Sequence, residues 1–143
     1  MSLRRLSRFT DVIIKIEPSI FTCLVLLHVI PVFLIKGFAT IDGPAHTYNA
    51  FLIYQLLFEN ADLVSSFYSF NAFWVPNSLG HYLLVFLQIF FSPIIAEKLL
   101  LSLQIIGLAY ACRLLWKQFS TQYQFWSYFA FPLVFSLSFF FGF

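Results

Sequence analysis

SIFTCLVLLHVIPVFLIKGF, residues 19–38, decides the fold class of this chain. About 20 consecutive apolar residues suffice for a helix to cross a ~30 Å hydrocarbon core, so this stretch predicts a first membrane span. Arg4, Arg5, Arg8 and Lys15 precede it, and basic residues on that flank hold an N-terminus (residues 1–18) in the cytoplasm. The far end of the span then faces outward. A cleaved signal peptide fits less well, because the apolar stretch exceeds the usual length and no small-x-small site follows it. Within the span Pro31 predicts a kink, Lys36 can snorkel to the outer surface, and His28 reads as a neutral imidazole bonded to a neighbouring helix.

Composition agrees with that reading. The chain is 61% hydrophobic and only 10% charged, with 21 phenylalanines among 143 residues, too little polar surface for a water-soluble domain. A mean hydropathy of +0.87 points the same way, to an integral membrane protein. The net charge of +2 implies no nucleic-acid partner. Cys23 and Cys112 lie inside apolar runs without metal-type spacing, and read as small packing residues.

Residues 39–78 are more polar and read as a first external loop. Pro44 suits a first helical turn, and the stretch to Phe58 holds no further Gly or Pro, which predicts a helix lying along the membrane surface. Tyr48, Phe51, Leu52, Leu56 and Leu57 would enter the interface. A second aromatic piece, Phe67 to Trp74, precedes Pro76-Asn77. Further apolar runs over 79–91, 94–116 and 125–143 predict three more spans, the second and third separated by Ser92-Pro93. The architecture expected is therefore an all-α membrane protein of about four transmembrane helices. In that order Glu97 and Lys98 fall at a cytoplasmic turn, while Arg113 and Lys117 fall outside, against the positive-inside tendency. An ending in Ser-Phe-Phe-Phe-Gly-Phe, without interfacial anchors, reads as a fragment, with a small complete four-helix protein as the competing expectation.

Chemistry concentrates at Ile41-Asp42-Gly43-Pro44-Ala45-His46. Asp42 could act as a general base at a helix start, and His46 and Asn49 follow on the same helical arc. The free N–H groups there would favour an anionic donor phosphate. The competing reading makes Asp42 an N-cap, a role Asp fills well for about 1 kcal/mol. Glu59 and Asp62 could share a metal-bridged phosphate or simply end the surface helix in water. His81 could face the same external cavity or sit at the interface. Arg113 and Lys117 could bind a lipid phosphate or anchor their helix at the headgroups.

The Asp-Gly-Pro-x-His stretch, the helix beginning Thr47-Tyr48-Asn49-Ala50, Pro76-Asn77 and Ala96-Glu97-Lys98-Leu99 together resemble the start of GT-C glycosyltransferases. That resemblance implies a larger GT-C fold in a bacterial inner membrane and an inverting sugar transfer from a lipid-phosphate-linked donor on the external face. Asp42 would be the catalytic base, with His46 beside it. Asn49, Glu59 and His81 are the expected substrate contacts; no metal ligands are assigned, and Mg or Mn is not indicated. Such a chain would have a lipid-linked donor and membrane lipids as partners. The alternative is a non-enzymatic membrane subunit or transporter piece, in which Asp42→Asn would change little.

Overall fold

The computed structural model describes residues 3–36, 40–59, 61–71, 78–119, 121–136 and 139. Helix is the one kind of regular secondary structure among these residues. In chain order they form α1 (Leu3–Leu34), α2 (Gly43–Tyr54) continued by a π-helical turn (Gln55–Glu59), α3 (Asp62–Ser65), α4 (Ser78–Gln88), α5 (Pro93–Phe119), a 3-10 segment (Thr121–Phe129) and α6 (Ala130–Val134).

Two helices are long and apolar enough to cross a membrane: Ile13–Leu34 within α1, and α5. Only 22% and 28% of these stretches are buried, whereas the core helix of a water-soluble protein would be mostly covered. Leu26, Leu34, Leu114 and Leu115 are among the exposed side chains. Cys23 is also exposed rather than packed, and both cysteines are free. Of the four expected spans, the second is an 11-residue helix, α4. At 1.5 Å per residue it reaches about 16 Å, too short to cross a bilayer alone. Along the fourth, the apolar helical stretch Phe125–Val134 is likewise shorter than a span. Residues 137–138 and 140–143 lie outside the described residues, as do Ala39, Phe73, Trp74 and Pro76-Asn77.

The chain divides into two compact units, Met1–Pro31 with Ile105–Val134, and Val32–Gln104 with Phe135–Phe143. In the first, α1 and α5 run antiparallel: Glu17 meets Arg113, and four residues later Phe21 meets Tyr110. Phe21, Val25 and Ala109 form the buried core, with Tyr110, Tyr128 and Phe131 against it. Arg113 donates two hydrogen bonds to Glu17, 2.8 Å to Oε1 and 2.5 Å to Oε2. Its guanidinium also lies 4.4 Å from the centre of the Phe21 ring. His28 places Nδ1 2.8 Å from the Leu24 carbonyl of its own helix and stacks on Phe131.

In the second unit α2 packs on α4. Gly43, Thr47 and Ala50 are its buried residues, a small-residue stripe spaced i, i+4, i+7 that lets helices approach closely. Ala50, Leu84, Val85, Ala96 and Leu100 make one core, so the start of α5 joins the pair. Gln88 ties it further, its Nε2 donating to the Thr47 carbonyl at 3.2 Å. The helix expected to lie alone on a membrane surface is therefore half of a packed pair. Tyr48 and Leu57 are exposed, while Phe51, Leu52 and Leu56 are partly buried. The end of α1 is closed by buried Lys98, whose Nζ donates to the Ile35 carbonyl at 2.9 Å. A cation is the right group there, because the last carbonyls of a helix lack intrahelical donors and carry partial negative charge.

Candidate functional site

Thr40 and Asp42 both have side chains suited to capping α2, but the structure uses Thr40. Its Oγ1 accepts from the Gly43 N–H at 2.9 Å, and the residue is 97% buried by its 3% exposure. Asp42 is exposed and makes no side-chain cap bond, although its backbone carbonyl accepts from the His46 N–H at 3.0 Å. Asp42 thus occupies the N-cap position without a side-chain cap bond. Its carboxylate stands at the mouth of α2 with no duty in holding the helix start.

His46, one turn on, reaches across to α4. Its Nδ1 lies 3.0 Å from His81 Nε2, the rings meeting edge-on with centroids 4.7 Å apart. One of these nitrogens must carry the proton and the other accept it, so at least one imidazole is neutral. His81 then lines a cavity of about 300 Å³ with Asn49 of α2. Its polar lining also includes Ser78 and Tyr82 from α4, and Tyr68 and Asn71 from the preceding loop. Leu52, Ile53 and Leu56 form the apolar wall. Such a mixture, mostly apolar with convergent hydroxyls, amides and an imidazole, can hold a polyhydroxylated ring of small size.

The sequence-derived site residues thus divide. Asn49 and His81 share the cavity, His46 is hydrogen-bonded to it through His81, and Asp42 stands one turn before His46. Glu59 is elsewhere: it is exposed on the π-helical turn, where Oε2 accepts from Gln55 Nε2. Asp62 opens α3 in the open, so neither carboxylate lines this cavity. No group of three or more His, Cys, Asp or Glu suited to a metal occurs among the described residues. Ser78 and Tyr82 were not anticipated from sequence, yet their spacing signals them, since they flank His81 on one face at i−3 and i+1 and are four residues apart.

Glu97, read from sequence as lying near a turn beside Lys98, falls in the second turn of α5, and nothing in the sequence signalled its burial. Its carboxylate is buried against the start of α2, where a methyl group on Gly43 would collide with Thr40 Oγ1 and Glu97 Oε1. Gly43 is therefore fixed by close approach and not by backbone torsion.

No family model, curated protein or solved structure matches this chain.

Proposed function

We propose that this chain forms the catalytic entrance of a membrane glycosyltransferase of the GT-C type. In this reading α1 and α5 are antiparallel spans, the N-terminus is cytoplasmic, and the α2–α4 pair faces outward. The observation that carries it is Asp42: an exposed carboxylate released from capping by Thr40, one turn from an imidazole pair that borders a polar cavity.

The chemistry asked of these residues is limited. Asp42 takes the proton from an acceptor hydroxyl as its oxygen attacks the anomeric carbon of the sugar, and the bond to the lipid phosphate breaks on the opposite face, inverting the centre. His46 and His81, held together at 3.0 Å, orient one another and present an N–H toward the donor. Asn49, Ser78 and Tyr82 supply hydrogen-bonding groups for sugar hydroxyls.

The test is transfer of radiolabelled hexose from polyprenyl-phosphate hexose by membranes containing the full chain. Asp42→Asn should abolish transfer while membrane insertion stays at the wild-type level. Transfer retained in that variant removes Asp42 from the reaction and, with it, the reading.

A further inference from the structure

A second cavity, of about 340 Å³, lies where α2 and α5 begin. Pro44, Thr47, Tyr48 and Phe51 line it from α2, and Pro93 and Glu97 from α5. Two polar atoms on this lining are buried, Thr47 Oγ1 and Glu97 Oε1; neither makes a hydrogen bond of standard geometry, and the two side chains lie near enough to interact with each other. The residues are 7% and 8% exposed, so water does not replace the missing partners freely. Lys98, the adjacent cation in sequence, attracts Glu97 through space but forms no salt bridge with it, because its ammonium is turned to the Ile35 and Phe33 carbonyls.

A buried carboxylate without a directly bonded cation is costly to ionise, and the cavity beside it supplies room for one. The walls say which kind. A hard metal ion wants six or more oxygens, and this lining provides three side chains that carry them, Thr47, Tyr48 and Glu97. Aromatic rings beside one carboxylate instead suit an ammonium group, which gains from the ring faces as well as from the charge. We infer that the cavity binds an alkylammonium group, with Glu97 as counter-ion, Thr47 as hydrogen-bond acceptor, and Tyr48 and Phe51 as its aromatic wall. The group can belong to a soluble amine or to the headgroup of an aminophospholipid; the site recognises the ammonium in either. This cavity shares no lining residue with the one that holds His81, and the inference does not depend on the transferase reading.

Binding is measured on the full chain in detergent micelles by calorimetric titration with n-butylammonium chloride, with sodium butyrate as the anionic control. Saturable binding of butylammonium but not butyrate is expected, weakened about tenfold or more by Glu97→Gln, which keeps the shape and removes the charge. Phe51→Leu, which keeps apolar contact and removes the ring, should weaken it several-fold, about the contribution of one cation–π contact. Native mass spectrometry from nanodiscs identifies the source: retention of phosphatidylethanolamine over phosphatidylglycerol, lost in Glu97→Gln, assigns a lipid headgroup, and equal retention assigns a free amine. Absence of saturable butylammonium binding, equal binding of butyrate, or unchanged binding in Glu97→Gln overturns the proposal.

Discussion

Removing Arg113 should be the most damaging single change in the α1–α5 unit. Its side chain is 14% exposed and that of Glu17 only 7%, so the pair is nearly dry. Arg113→Met leaves the Glu17 carboxylate buried with neither of its two guanidinium bonds, and losing one partner of a buried pair costs about 3–5 kcal/mol. The lost contact with the Phe21 ring adds about 1 kcal/mol. Glu17→Leu should cost a comparable amount, since it strands the guanidinium. The double variant Glu17→Leu/Arg113→Met removes both charges at once, and apolar replacement of a buried pair is neutral or mildly stabilising. The double should thus be more stable than either single, a coupling of several kcal/mol. Equilibrium unfolding in mixed micelles by titration with sodium dodecyl sulfate reads this directly. Trp116 and Trp126, with ring centres 6.1 Å apart in the same unit, provide the fluorescence signal. Single variants costing under about 1 kcal/mol, or a double whose cost is the sum of the singles, would refute a desolvated, mutually dependent pair.

At the start of α2, Thr40→Val should cost about 1 kcal/mol in the same unfolding assay, with Thr40→Ser and Asp42→Asn close to wild type, because the cap belongs to the hydroxyl of Thr40. Gly43→Ala should cost about 1–3 kcal/mol by overpacking against Thr40 and Glu97. Gly107→Ala on α5, where nothing lies within 4 Å of the added methyl, should stabilise by about 0.5–1 kcal/mol. After Cys23 and Cys112 are replaced by serine, Ser65→Cys and Gln118→Cys in oriented vesicles should label from opposite sides with an impermeant maleimide. Labelling of both from one side would restore a crossing at α4.

The all-helical class was legible because long apolar runs without strand alternation leave no other economical way to satisfy the backbone. Pro93 as a helix start was legible too, since a first-turn proline loses no hydrogen bond. The face of α2 was not. GPAHTYNAFLIY is apolar around most of its circumference, so large residues such as Tyr48 and Phe51 suggested one buried face while the small stripe Gly43, Thr47 and Ala50 created the actual one. Close backbone approach decided it, a property set jointly by α2 and α4. The His46–His81 bond spans 35 positions and depends on that same register, so no local pattern could announce it. Read from sequence, Asp42 alone is the cap candidate at the start of α2, while the hydroxyl that caps belongs to Thr40, two residues earlier, and helix starts are uncertain by about that margin from sequence. The choice between them changed the meaning of the aspartate, from a structural acceptor to an available carboxylate.

Charge placement gives an independent argument for the two-span arrangement proposed above. If α4 crossed, α5 would leave the cytoplasm and carry Arg113 and Lys117 outward, opposite to the arginines at positions 4, 5 and 8. The antiparallel contacts of Glu17 with Arg113 and Phe21 with Tyr110 reverse this, returning the basic end of α5 to the side where α1 begins. All of these cations then share one face, as the positive-inside tendency requires. Lys36, just past the end of α1, and Lys98 are the exceptions, cations at the opposite end; of the two, Lys98 is the buried one. It does not act as a free loop charge, because it is buried and spent on the Ile35 and Phe33 carbonyls that close α1. In the proposed two-span arrangement the conflict that the linear sequence raised disappears, because α4, an 11-residue helix among the described residues and packed on α2, is not counted as a crossing.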